Sequence, residues 1–252
     1  MGIAFDWQIL LIVLPFIFVG SFVDSIAGGG GIFTVVGLMM AGLPIHAVIG
    51  TNKTASLFGT AIATRNYVKK DCFNKQYIPF SVIGALVSAF IGSWVGNVLD
   101  TAALTGLVTL ALPIVGILML FGLKPKERKK ELSKGQVYFF SCLVGSLVGF
   151  YDGLIGPGSG TFWIIGFTLC GLSLLEANGN AKIVNLASNI SSATLFLIKG
   201  KVVLWLVLPC IVVSILGGHL GSSLVIKNGD KIVKPAIVFV LVLLIAKSIF
   251  KF

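Results

Sequence analysis

A chain of 252 residues with 56% hydrophobic and only 11% charged residues has too little polar surface for a water-soluble domain, in which about a quarter of residues are charged. The net charge of +10 does not make it a nucleic-acid binder, because its basic residues cluster in short segments between apolar runs and lack interleaved aromatics on which bases could stack. A mean hydropathy of +1.03 and apolar runs approaching about 20 residues predict an all-α, polytopic helical membrane protein with the lipid bilayer as its surroundings.

The first apolar run, residues 9–20, follows Asp6 and Trp7 rather than basic residues, and the small residues at 27–31 do not lead into a soluble domain. It reads as a membrane helix and not as a signal peptide. Apolar segments follow at 8–27, 31–43, 46–64, 77–98 and 102–122, then at 136–155, 160–173, 175–198, 202–225 and 231–249. Between the two sets lies the hydrophilic run KPKERKKELSK at 124–134. The chain thus divides into a first membrane repeat (1–123), a basic cytoplasmic linker (124–135) and a second membrane repeat (136–252). Cys72, Cys142, Cys170 and Cys210 match neither a disulfide framework nor a zinc site; three lie in apolar spans, and Cys72, in a basic loop, reads as a reduced surface thiol.

The two halves resemble each other. FVDSIAGGGGIFTVVGLMMAGLPIHAVIGTNKTASLFGT, from residue 22, aligns with FYDGLIGPGSGTFWIIGFTLCGLSLLEANGNAKIVNLASN, from residue 150. Asp24 falls opposite Asp152 and Gly28 opposite Gly156; after a one-residue insertion, Gly37 matches Gly166, Gly50 matches Gly179 and Lys53 matches Lys182. Duplication is a common plan of secondary transporters. Five segments per unit predict two inverted five-segment repeats, since an odd number of spans starts the second copy from the opposite side. With the linker cytoplasmic, 13 of the 19 basic residues lie inside and four outside, and Lys53 and Lys182 lie within the membrane. If 31–43 and 160–173 are re-entrant, the repeats run parallel and the count is 14 inside and three outside, so charge does not separate the two arrangements.

The four glycines Gly28, Gly29, Gly30 and Gly31, followed by Thr34, interrupt the first half where a membrane helix is due. Each glycine in a helix interior costs roughly 1 kcal/mol relative to alanine, and unwound backbone survives in lipid only where it is buried in protein or lines a cavity. Gly156, Pro157, Gly158, Ser159, Gly160 and Thr161 form the matching break, with Pro157 removing a donor. Free N–H groups at the positive end of the short helix that follows suit an anion. The competing reading is close helix packing through small residues; two matching clusters, each near an aspartate, favour a site.

A second feature is a polar stripe in each half. Asn178, Lys182, Asn185, Asn189 and Ser192 recur at spacings of four, three, four and three, one face of a helix; Lys53, Ser56 and Thr60 occupy the matching face. An intramembrane lysine usually marks a pathway or a site, the bland alternative being a side chain that snorkels to the interface. Asp24 and Asp152 could pair with these lysines, cap the short helices or carry protons. Glu176 reads as an interfacial residue. His46 and His219 have no second ligand at metal spacing, so no metal and no cofactor is expected. Enzyme readings fail on residues: Tyr151-Asp152 has no second aspartate in a Gly-x-Gly-Asp setting, Pro157 stands where a rhomboid motif has glycine, and there is no P-loop.

GGGGIFTVVGLMMAGLPIHAVIGTNKTASLFGTAIATRNYVKK and GFYDGLIGPGSGTFWIIGFTLCGLSLLEANGNAKIVNLASN closely resemble the sulfite exporter TauE/SafE family, over nearly the whole chain. The resemblance is greatest to its bacterial inner-membrane branch of unassigned substrate. It implies transport of a small sulfur-containing anion, sulfite or an organosulfonate, and carries the glycines, Thr51, Asn52 and Lys53 of the first half, and Asn180, Lys182 and Asn185 of the second, into a binding site. The expectation is therefore a secondary transporter that exports a small anion by alternating access, with Lys53 and Lys182 supplying charge. An anion channel and a non-transporting membrane scaffold are the rivals. A homo-oligomer stays open.

Overall fold

A computed structural model of the protein describes residues 5–122 and 132–229, the side chains of 112–122 excepted. The linker at 124–131 and the last apolar segment, 231–249, lie outside the described residues. Among the described residues every regular element is a helix. The first half contains α1 (Trp7–Ala27), α2 (Gly31–Met40), α3 (Ile45–Lys69), α4 (Ile78–Val98) and α5 (Thr101–Gly122); the second contains α6 (Lys134–Leu154), α7 (Ser159–Leu169), α8 (Leu174–Ile198) and α9 (Leu204–Asn228). Five of these (α1, α4 with the 3₁₀ turn that leads it, α6, α8 and α9) are long and apolar enough to cross a membrane.

Local chemistry sets the helix ends. The Asp6 carboxylate accepts from the Gln8 N–H at the start of α1, and Ser133/Gln136 and Ser173/Glu176 form capping boxes on α6 and α8. Glu176, expected at the interface, is thus a cap residue. Gly28 ends α1 in the left-handed region at φ 78°, and Gly158 precedes α7 at φ 81°.

The glycines do not lengthen α2 into a span. At ten residues it covers about 15 Å, half of a roughly 30 Å hydrocarbon core. Instead they reverse the chain. Gly30 and Thr34 pack on Gly20, and Gly37 packs on Phe16, so α2 runs back antiparallel along α1. In the second half, α7 returns along α6 in the same way, with Gly166 against Val144. The tips of the two hairpins meet. The Thr161 N–H donates to the Gly28 carbonyl at 3.1 Å, and the Thr161 hydroxyl to the Ala27 carbonyl at 2.7 Å. A Cβ on Gly28 would overlap the Gly160 backbone, and one on Gly160 would overlap Gly28.

The longer helices pack across the two halves, α4 on α6, α1 on α9 and α3 on both α8 and α9. Small residues make the seams: Ser81, Ala85 and Ala89 of α4 meet Gly145, Gly149 and Gly153 in order, so α4 and α6 run parallel. Ser21 and Phe22 of α1 meet Ser214 and Gly217 of α9, also parallel. By contrast α3 and α8 cross antiparallel, Gly50 lying against Phe196 and Thr64 bonding to the Lys182 carbonyl. Leu11, Ile83, Leu147 and Leu208 face outward, while Thr51, Asn52, Lys53, Asn178, Lys182, Ser188 and Asn189 are buried. The molecule is polar at its centre and apolar at its rim, as a bilayer solvent requires.

Gly28→Ala combines a positive-φ penalty of about 1–2 kcal/mol with a backbone collision and is expected to prevent folding or depress the melting temperature severely. Gly42→Ala, at φ 77° with nothing within 4 Å, carries only the first cost. Thermal melting in detergent compares them; equal losses would show that the hairpin tips do not need their close approach.

Candidate functional site

Where the hairpin tips meet α3 and α8, the chain leaves a small polar cavity of about 30 Å³, room for two or three waters at about 10–15 Å³ each. The first half lines it with Asp24, Gly28, Gly30, Gly31, Thr34, Asn52, Lys53, Ser56 and Thr60. The second contributes Asp152, Gly156, Gly158, Ser159, Asn185 and Asn189. Gly20, Ser21, Ser25 and Gly59 complete the wall.

Two ion pairs organise this centre, and each joins one half to the other. Lys53 Nζ lies 2.6 Å from Asp152 Oδ1, with the two side chains only 2% and 3% exposed. Lys182 Nζ lies 2.9 Å from Asp24 Oδ2, with 0% and 21% exposed. Burying four charges in lipid is tolerable because each is paired, and all but Asp24 are further hydrogen-bonded. Asp152 accepts from the Ser159 hydroxyl at 2.5 Å and from the Ser188 hydroxyl. Lys53 also donates to Asn189 Oδ1 at 3.3 Å, and Lys182 to the Asp24 backbone carbonyl. Thr34 donates to Asn52 Oδ1 at 2.6 Å, and Ser56 to the same oxygen at 3.2 Å. Among the described residues the N–H groups of Gly30 and Gly31, at the start of α2, have no hydrogen-bond acceptor in the protein.

A family model described as "Sulfite exporter TauE/SafE" matches residues 9–248. The chain belongs to the TauE/SafE sulfite exporter family. It is 36% identical over 242 residues to the probable membrane transporter protein ORF9 of a Sinorhizobium species, covering 94% of this chain and 90% of that one. It is 33% identical to a probable membrane transporter protein of Haemophilus influenzae, covering 99% and 97%. It is 34% identical to the probable membrane transporter protein YfcA of Escherichia coli K12, covering 96% and 90%. No solved structure matches.

In this TauE/SafE chain several residues expected in the site serve elsewhere. Lys182 does not line the cavity; Asp24 holds its amine. Asn180 bridges to the Asn74 backbone, accepting from its N–H at 2.7 Å and donating to its carbonyl at 3.0 Å, and so ties α8 to the turn before α4. Thr51 accepts from the Val203 N–H at 3.1 Å, where the chain enters α9. Asn178 donates to the Ile26 carbonyl at 2.6 Å near the end of α1. Gly160 and Thr161 are taken up by the contact between the tips, and Gly29 is not among the lining residues. These placements share one reason: a small or polar residue in a membrane core satisfies the backbone of a neighbouring helix as readily as it binds cargo.

Ser21, Ser25, Gly20 and Gly59 went unnoticed because they read as ordinary packing residues; for the first three the signal is the small-residue spacing on α1. Ser188 also escaped notice, since its counterpart in the first half is Gly59. The site is lopsided for a related reason. Thr34 and Asn52, bonded to each other on the cavity wall, correspond to Trp163 and Ala181, both fully buried. A bulky indole and a methyl stand in the second half where the first has two polar groups.

Asp152→Asn removes the counter-charge of Lys53 and is expected to destabilise the protein by about 3–5 kcal/mol. The double variant Lys53→Met/Asp152→Asn is expected to recover most of that loss. Unfolding in mixed micelles measures both; a double variant no more stable than the single one would count against the pairing.

Proposed function

We propose that the protein is a secondary transporter in the bacterial inner membrane that exports a small oxoanion, a sulfur-containing anion such as sulfite or a short organosulfonate. The observation that carries the reading is Lys53: a buried ammonium on the wall of a polar cavity that Gly30 and Gly31, whose N–H groups find no acceptor among the described residues, also line, with its ion-pair partner supplied by the other half of the chain. An anion with several oxygens meets both kinds of donor, competing with Asp152 for the ammonium and accepting from the amides. The size of the cavity suits a few heavy atoms. The family description names sulfite, and the relatives are named probable membrane transporters.

The reading includes inverted halves that rock about the cavity: since each short helix returns along the helix before it, α1–α2 and α6–α7 leave the chain on the side it entered, as two full spans would, and the second copy still starts from the opposite side. Its support is that α3 and α8, equivalent in the two repeats, cross antiparallel, whereas α1/α9 and α4/α6 run parallel. An inside-negative potential drives an anion outward by about 2.3 kcal/mol per charge per 100 mV, a drive that any proton moving with the anion lowers by one charge.

Purified protein in liposomes is expected to give saturable counterflow of sulfite or a short sulfonate. Lys53→Met is expected to lower it at least 100-fold, and so is the Lys53→Met/Asp152→Asn double variant, in which the fold is better preserved. Single-channel currents would identify a pore instead, and counterflow undiminished in the double variant would remove Lys53 from the cargo site. Inverted topology with a cytoplasmic linker places Cys72, just beyond α3, on the cytoplasmic side. An impermeant thiol reagent is therefore expected to label it in inside-out vesicles and not in intact cells. Partial burial and the neighbouring Asp71 push this thiol up from its ordinary pKa, so labelling is best carried out at alkaline pH.

A further inference from the structure

The two carboxylates of the centre, equivalent in the repeat, are not held alike. Asp152 has both oxygens engaged, Oδ1 by Lys53 and Ser159 and Oδ2 by Ser188, and its side chain is 3% exposed. Among the described residues Asp24 has a single side-chain partner, Lys182 on Oδ2, and its side chain is 21% exposed at the cavity wall. The hydroxyls that clamp Asp152 are missing around Asp24 because Gly59 stands where the second half has Ser188, and a glycine of the first break stands where it has Ser159. A proton arriving through the cavity therefore finds Asp152 enclosed by three donors and Asp24 open.

Charge arithmetic makes the difference matter. Lys53, Lys182, Asp24 and Asp152 sum to zero, so the resting centre has no net attraction for an anion. Neutralising Asp24 raises the sum to plus one. Lys182 then need not leave, since its ammonium also donates to the Asp24 backbone carbonyl, near the negative end of α1. An anion bound at Lys53 restores neutrality if it is monovalent and leaves one net negative charge if it is divalent. In either case the complex that crosses the low-dielectric core carries one charge fewer than the bare anion, which lowers its cost in the membrane.

Other titratable groups around Asp24 do not offer an equivalent route. Tyr67 on α3 donates its hydroxyl to the Ser25 carbonyl, and α2 and α7 carry no titratable side chain. His219 on α9 is bonded to Asn66 near the far end of α3, and Lys53 is paired with Asp152.

We propose that Asp24 is the carboxylate through which the protein couples one proton to each anion it carries. Its carboxylate takes up the proton from the cavity, Lys182 keeps its own proton and its bond to the backbone carbonyl, and the proton leaves when the anion does. This rests on the transport reading above, and two measurements separate its failure from the failure of that reading.

The first needs no cargo. Infrared difference spectra of the lipid-embedded protein between alkaline and acid pH are expected to contain a protonated-carboxyl band that is absent in Asp24→Asn and present in Asp24→Glu at a shifted frequency. Spectra of wild type and Asp24→Asn with identical carboxyl bands would overturn the proposal. The second uses isethionate, an alkyl sulfonate that stays ionised throughout, so that any proton moving with it is carried by the protein. In liposomes loaded with a pH-sensitive dye, wild type is expected to move one proton per isethionate, Asp24→Asn to drop that ratio toward zero, and Asp24→Glu to restore it. An isethionate flux in wild type without protons, or a proton ratio unchanged in Asp24→Asn, would overturn the proposal. If wild type carries no isethionate, nor sulfite in the counterflow assay, the transport reading falls while the infrared titration still decides whether Asp24 takes up a proton.

Discussion

Two crossed ion pairs hold this structure together. Lys53 of the first half finds its counter-charge in Asp152 of the second, and Lys182 of the second finds its own in Asp24 of the first. In water such pairs contribute little; inside a bilayer an unpaired charge is costly, and each of the four is answered by a partner from the other half. Neither half can therefore reach a low-energy state alone. The contact between the hairpin tips, the antiparallel crossing of α3 and α8 and the polar cavity follow from bringing those four groups together.

The same pairing explains why the interior is polar. α3 is too rich in threonine, asparagine and lysine to count among the helices that are apolar enough to cross a membrane, yet it is enclosed by α1, α2, α8 and α9. Its polar groups are answered by other helices: Thr64 by the Lys182 carbonyl, Asn52 by Thr34, Tyr67 by Ser25. Leu11, Ile83, Leu147 and Leu208 are turned toward lipid, while Ile49, Phe167 and Phe196 share the interior with the polar groups. The medium demands partners for the buried polar groups and leaves large apolar side chains free to lie on either side.

Much of this was legible in the residues. Membrane class follows from hydropathy, and the glycine breaks, the aspartates before them and the lysine stripes mark the centre because each is costly in lipid and occurs twice. What the sequence left hidden is pairing. Nothing in the spacing of Lys182 says that its amine will be held at the end of α1 while Lys53 faces the cavity. Likewise Asn180 and Thr51 lie on polar segments, but their partners, Asn74 and the Val203 N–H, are distant in the chain and belong to other helices. The short length of α2 was legible; its reversal along α1, which depends on the left-handed turn at Gly28, was not.

The crossed pairing also bears on how the protein is made. When α3 emerges from the ribosome, Asp152 has not yet been synthesised, so Lys53 enters the insertion machinery without its counter-ion. A lone lysine near the middle of a helix opposes partitioning by about 2.5–3.5 kcal/mol on insertion scales, in a segment already poor in apolar residues. Biogenesis must therefore either hold α3 at a protein-lined gate until the second half arrives or let it enter late, already packed against α8.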